Sequence, residues 1–259
     1  MALSIRRSSL TDQVTEAILE LIEERNLREG DALPGTSELA EMLGVSVPVI
    51  REAAAGLAAV GMIKRQQGRE SVVSTPDSTH MARLFSLRVL SSNVDDEGLQ
   101  EFREIVEVGN ARLAARNRDD ADLVALDDAL THLRQVSDAE QLHAADVIFH
   151  AAVASSAKND LCELTLEALE PVLWRLRRRV WTGWVLAGGD LQSIVEAHST
   201  ILEAIRTGDE DGAAQAMAAH LLQARRGLEE KLVADGPLPE DLLAFTKNPT
   251  RSSESAGAG

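Results

Sequence analysis

Only one cysteine, Cys162, occurs in the 259 residues. No internal disulfide can form, which fits a reducing compartment. Long hydrophobic runs are also missing: none approaches the roughly 20 apolar residues that a membrane-crossing helix needs, so no membrane partner is expected. Met1 is followed by no apolar h-region; Arg6 and Arg7 lead straight into a polar, amphipathic segment. A soluble cytoplasmic protein is therefore expected. Tyrosine is absent and aromatic residues supply only 3% of the chain. Apolar residues still reach 44%, which excludes a disordered protein, and Ala, Leu, Glu and Arg dominate in a way that favours helix. A basic surplus is lacking too. The net charge is −16, which taken alone argues against a nucleic-acid partner. The acidity is uneven, however: residues 1–76 carry 8 basic and 11 acidic side chains, and the rest carry 18 and 31.

The spacing of apolar residues gives the organisation. Leu10, Val14, Ala17, Ile18, Leu21 and Ile22 predict a helix over 9–25. Gly30 and Pro34 break it. A short helix follows over 37–43, punctuated by Gly44. A longer one spans 47–60, entered through Ser46 with Pro48 in its first turn and stopped by Gly61. Two short runs around Gln67 and Gly68 predict a strand–turn–strand. Helices are then expected over 80–91, 97–117, 119–136, 138–156, 160–183, 190–206 and 209–233. Ser137 and Glu140 form a candidate capping box for the fourth of these, and Pro171 is expected to kink or interrupt the fifth. The expected division is a first domain at 1–76, a linker and connecting helix at 77–94, a helical domain at 95–234, and a partly disordered tail at 235–259, broken only by the short "EDLLAF" run. The fold class is mainly α: a winged helix-turn-helix followed by an all-helical antiparallel bundle.

A short helix, a tight turn, a second helix and a small hairpin make the winged helix-turn-helix pattern. The second helix fits the major groove and turns its N-terminal residues toward base edges. Lys64, Arg65 and Arg69 put positive charge on the hairpin, where phosphates pass. The stretch "GDALPGTSELAEMLGVSVPVIREAAAGLAAVGMIKRQQG" resembles the DNA-binding domain of the GntR superfamily of bacterial regulators. The shared frame covers Gly30, Leu33, Pro34, Glu38, Leu39, Ala40, Leu43 to Ser46, Arg51, Glu52, Ala53, Leu57, Gly61 and Gly68. By that resemblance the DNA-contacting residues are Thr36, Ser37, Ser46, Val47, Arg51, Lys64, Arg65, Gln67, Gly68 and Arg69. Two departures stand out. Where the family has Ser-Glu-Arg after "LP", this chain has Gly35-Thr36-Ser37. Where it has an arginine after "GVS", this chain has Val47. Thr36, Ser37 and Ser46 still offer donors to phosphates, and Val47 an apolar contact to a thymine methyl.

A second constellation lies in the later helices. Asp146 and His150, four apart, share one helical face. His198 and His220 stand equally far from the turn "TGDEDG", so an antiparallel hairpin would set them face to face. Three imidazoles and one carboxylate suit a divalent ion such as zinc, nickel or manganese. Unrelated helical histidines with local partners are the plainer alternative. The pattern resembles the all-helical FCD effector domain of the FadR-like branch of the same superfamily over about 95–230, and the four residues match its metal site one by one. "LQEFREIVEVGNARLAARN" resembles that domain's first long helix. The likeness implies that Arg103 holds a small carboxylate effector and that Asn159 lies near the cavity; a salt bridge to Glu107 and a helix-end hydrogen bond are the plainer readings of these two. The run "RLRRR" at 175–179 reads as a solvated or inter-helical charge run, and His132 and His143 fall outside the pattern. The resemblance implies a homodimer on a palindromic operator. A metal-dependent enzyme is the rival. Against it, no separate general base, nucleophile elbow or phosphate loop is recognisable, and a non-enzyme is expected. A sensor with weakened DNA binding is the third reading.

Overall fold

The computed structural model describes residues 9–66, 69–92, 94–136, 139–186 and 190–234. Gln67, Gly68, Ser137 and the tail at 235–259 with its "EDLLAF" run lie outside the described residues. So do the expected turn of the wing and the expected Ser137 capping box.

The first unit is built from α1 (Leu10–Glu24), α2 (Thr36–Leu43), α3 (Val47–Ala59) and a hairpin of β1 (Ile63–Lys64) and β2 (Val72–Val73). Ser9 and Asp12 cap α1 reciprocally. Val14 and Ile18, one turn apart, bury its apolar stripe. From α3, Ile50, Ala53 and Leu57 meet that stripe at the spacing of a single helix face. β1 and β2 pair antiparallel with Ile63 opposite Val73, and an isolated bridge from Ala32 to Val72 extends the ladder. Leu33, Leu39, Ile63 and Val73 close the small core.

The second unit contains α4 (Ser78–Leu90), α5 (Asp96–Asn117), α6 (Asp120–Gln135), α7 (Ala139–Ser156), α8 (Asp160–Leu186), α9 (Leu191–Thr207) and α10 (Glu210–Ala234). The bundle core is aliphatic, with Phe149 and Trp181 as its buried aromatic residues among those described. This is how a chain poor in aromatics fills an interior: many Leu, Ile, Val and Ala side chains on close-packed helices. α10 packs against α8, α5 and α9. A Cβ on Gly227 of α10 would stand 2.3 Å from the Val180 carbonyl oxygen of α8, so only glycine allows these two backbones to approach so closely. α9 and α10 form a hairpin whose turn uses Gly208 at φ +75. Pro171 lies inside α8 without ending it, and the helix runs on to Leu186. The missing proline N–H removes one backbone bond, a loss the surrounding packing tolerates.

α4 joins the two units. Its Phe85 and Val89 pack on the bundle core, and it lies along α8. At its other end the His80 ring covers Gly61: a Cβ there would come within 2.8 Å of the ring. No single described helix is long and apolar enough to cross a membrane.

Candidate metal centre

On α7, Asp146 and His150 share the face that also buries Phe149 and Val153. The α9–α10 hairpin brings His198 and His220 together with ring centroids 4.4 Å apart. His150 Nε2 lies 3.2 Å from His220 Nε2, and His198 Nε2 lies 3.2 Å from Asp146 Oδ1. One ligand atom from each of the four residues falls within 4.8 Å of all the others, and all four are buried. The opposing Nε2 atoms of His150 and His220 can make a hydrogen bond only if one carries a proton. A shared cation satisfies both. Three imidazole nitrogens and one carboxylate oxygen are a donor set that zinc, nickel and manganese accept, so the residues fit the expected ion.

The remaining polar atoms hold these groups in place. His198 Nδ1 donates to the Ile194 carbonyl at 2.8 Å, which aims Nε2 into the cluster. Arg177 Nη1 donates to Asp146 Oδ2 at 2.9 Å, leaving Oδ1 for the cluster. Arg103 Nε donates to Glu107 Oε1 at 2.7 Å, and its Nη1 to Gln100 Oε1 at 3.2 Å. Gln100 in turn donates to the Leu221 carbonyl on α10.

Electrostatics follow from these contacts. Burial alone would raise the Asp146 carboxyl, but His150, His198 and Arg177 outweigh it and hold it well below the usual carboxylate range. Glu107 behaves the same way: desolvation is overcome by Arg103, His150 and Arg177. His150 would be lowered by burial, yet Glu107 and Asp146 raise it. Burial and the neighbouring histidines push His220 down. Glu170 is raised by desolvation. The site thus combines a carboxylate and imidazole set with two buried guanidinium groups.

Several sequence readings settle on one alternative here. Of the two readings of the 175–179 run, the inter-helical one holds for Arg177, which is fully buried and pairs with Asp146 on α7 and Glu107 on α5. The signal was legible: Leu173, Arg177 and Val180 follow one another at helical spacing on a buried stripe. Asn159 lies outside the buried cluster. It is exposed, and its Oδ1 accepts from the Leu161 and Cys162 amides at the start of α8. Val47 is half-buried against the first core, so only part of it is left for a base. Ser46 takes the N-cap position of α3 without a side-chain capping bond: Pro48 has no N–H to offer, and the Val49 amide donates to the Ser46 carbonyl instead. Buried Asn110 went unnoticed in the sequence: neither atom of its side-chain amide has a hydrogen-bond partner among the described residues. His143, set outside the metal pattern, is buried as well; its ring nitrogens make no hydrogen bond among the described residues, and the ring packs edge-on against Trp174 with centroids 3.6 Å apart. Burial pushes His143 down to about 4.

On the first unit, Thr36, Ser37, Ser46, Arg51, Lys64, Arg65 and Arg69 are all exposed. Lys64 lies 3.7 Å from Glu29 across the surface.

Comparison with known proteins agrees with this geometry. Residues 10–73 match the family described as "Bacterial regulatory proteins, gntR family", and residues 98–224 match the FCD domain. The chain is 30% identical over 203 residues to the HTH-type transcriptional regulator LutR of Bacillus subtilis (strain 168), covering 78% of this chain and 93% of that one. It is 26% identical over 225 residues to the galactonate operon transcriptional repressor of Escherichia coli (strain K12), covering 85% and 97%. Among solved structures, Streptococcus agalactiae GntR superposes with a TM-score of 0.64 at 26% identity, covering 84% of this chain and 99% of that one.

Proposed function

The chain belongs to the gntR family of bacterial regulatory proteins and carries an FCD domain, and from that premise we propose a homodimeric, cytoplasmic, operator-binding regulator that responds to a small carboxylate at a metal site. The observation that carries the reading is the buried quartet of Asp146, His150, His198 and His220, in the same chain as a winged helix-turn-helix with an exposed α3. The ion, when bound, supplies Lewis-acidic binding of an anionic oxygen. Arg103 and Arg177 are matched by Glu107 and Asp146 in the cluster. A divalent ion therefore adds uncompensated positive charge, which a carboxylate effector offsets. Arg103 has N–H groups beyond those used by Glu107 and Gln100, and these are suited to a carboxylate fork. Asn159 is left out of this effector set because of its capping role.

Operator contacts fall to Thr36, Ser37, Ser46, Val47, Arg51, Lys64, Arg65 and Arg69, with Gln67 and Gly68 at the wing turn. The route between the sites is short. α8 carries Arg177 and packs on α4, and α4 sets His80 over Gly61 at the end of α3. An effector that favours one setting of α8 thereby biases the placement of the two DNA-reading heads, a population shift between two arrangements.

The test is fluorescence anisotropy on DNA from the protein's own upstream region, titrated with small di- and tricarboxylates. An active acid is expected to shift operator affinity by about 5- to 150-fold, the usual range of allosteric coupling. Arg103→Ala should remove most of that shift while the protein still takes up its metal. A shift that survives the substitution intact rules out Arg103 as the anchor.

A further inference from the structure

Glu107 is not one of the four ligating residues, yet it is fully buried and bridges them to the arginines. Its Oε1 accepts from Arg103 Nε at 2.7 Å and lies 3.4 Å from Arg177 Nη2. Its Oε2 lies against His150 Nδ1. The other ring nitrogen of His150, Nε2, faces His220 Nε2 at 3.2 Å and Asp146 Oδ1 at 3.5 Å. The carboxylate therefore occupies the back of the His150 ring while the front looks into the cluster.

We propose that Glu107 is a positioning residue of the metal centre: it holds His150 with the proton on Nδ1 and the Nε2 lone pair directed at the ion. The proposal rests on the metal reading above. An imidazole that donates its far N–H to a carboxylate cannot take the opposite tautomer, cannot turn its ring freely, and binds metal as a stronger base. His198 obtains the same service from the Ile194 carbonyl. His150 has no such backbone acceptor in the structure, and Glu107 fills that role from a different helix, α5. Arg103 and Arg177 fix the carboxylate from the other side, so its orientation is not free to drift. The same contacts explain why a carboxylate is buried on α5 at all: Oε1 accepts from Arg103, and Oε2 has the His150 ring as its ion-pair neighbour without an aligned hydrogen bond.

The experiment is zinc binding to the full chain, measured by competition with a chromophoric chelator, for the native protein, Glu107→Gln and Glu107→Asp. Zinc alone is the probe. Glu107→Gln removes the charge and keeps the shape. Glu107→Asp keeps the charge but draws it back by one methylene from His150. Both are expected to weaken zinc about 10- to 100-fold, the usual consequence of losing such a partner. Glu107→Asp keeps a counter-ion for the arginines and carries the test if Glu107→Gln does not fold. A purely structural Glu107 would lower the melting temperature of the zinc-free protein and leave zinc affinity within about twofold. Native-like affinity in Glu107→Asp, or in both variants, overturns the proposal. A native chain that takes up no zinc, nickel or manganese is a different result: it fails the metal reading itself, before any variant is compared.

Discussion

Replacing Arg177 with methionine is expected to destabilise the metal-free protein by about 3–5 kcal/mol, the range seen when one partner of a buried ion pair is removed. The guanidinium is fully buried and donates to Asp146 Oδ2 at 2.9 Å. It also lies 3.4 Å from Glu107 Oε1 and 3.6 Å from Glu170 Oε2. Burial would weaken its charge, but Glu107, Glu170 and Asp146 raise its affinity for the proton still further. The methionine fills much of the space, so lost packing contributes little. What remains is Asp146 with no guanidinium beside it. A divalent ion at the quartet supplies positive charge to the same carboxylate, so saturating zinc should recover part of the loss in Arg177→Met. Urea unfolding with and without zinc measures both effects. A variant as stable as the native protein without metal would mean that Asp146 is satisfied in some other way.

The second large effect concerns DNA. Arg51→Ala is expected to nearly abolish specific operator binding. Arg51 is exposed on α3, and Ser37 on α2 and Val47 on α3 offer no cation where the resemblance to the family's DNA-binding pattern leads one to expect arginines. An arginine that reads a guanine contributes roughly 1–3 kcal/mol of discrimination. Each cation that neutralises a phosphate steepens the salt dependence by about 0.9 in log–log slope. With fewer of both terms, and with a chain of net charge −16 adding long-range repulsion, native binding should be weak or require low salt. Ser37→Arg should tighten it and steepen the slope. Anisotropy titrations on the upstream DNA at several salt concentrations decide the matter. Tight native binding at physiological salt, unchanged by Arg51→Ala, would place the recognition surface elsewhere.

Much of the architecture was legible because local signals agreed with one another. Gly44 after α2, Gly61 after α3 and the turn "TGDEDG" between α9 and α10 marked element ends, and apolar spacing marked the faces. The meeting of His198 and His220 followed from counting residues to a hairpin turn, since antiparallel helices pair residues equidistant from their connection. The run of four arginines in five residues left two readings open, solvated or inter-helical, and the place of Arg177 between Leu173 and Val180 decides for the inter-helical one. Asn159 also left two readings open, because a residue type that binds ligands also caps helices, and its position just before Asp160 favours the cap. Asn110 was invisible, and the burial of His143 was not legible, because a buried polar residue without a hydrogen-bond partner has no periodic signature. Pro171 does not interrupt α8, whose packing on the bundle core offsets a single missing hydrogen bond.

The measurement that bears most directly on the central claim is metal content per chain, by elemental analysis, after the protein is stripped with chelator, reloaded with zinc, nickel or manganese and desalted. The ligand geometry predicts one ion per native chain and essentially none in His220→Ala, with a higher melting temperature for the loaded native protein because the ion binds only the folded form. A native chain that retains no stoichiometric ion, or a His220→Ala variant that retains as much as the native chain, would contradict it.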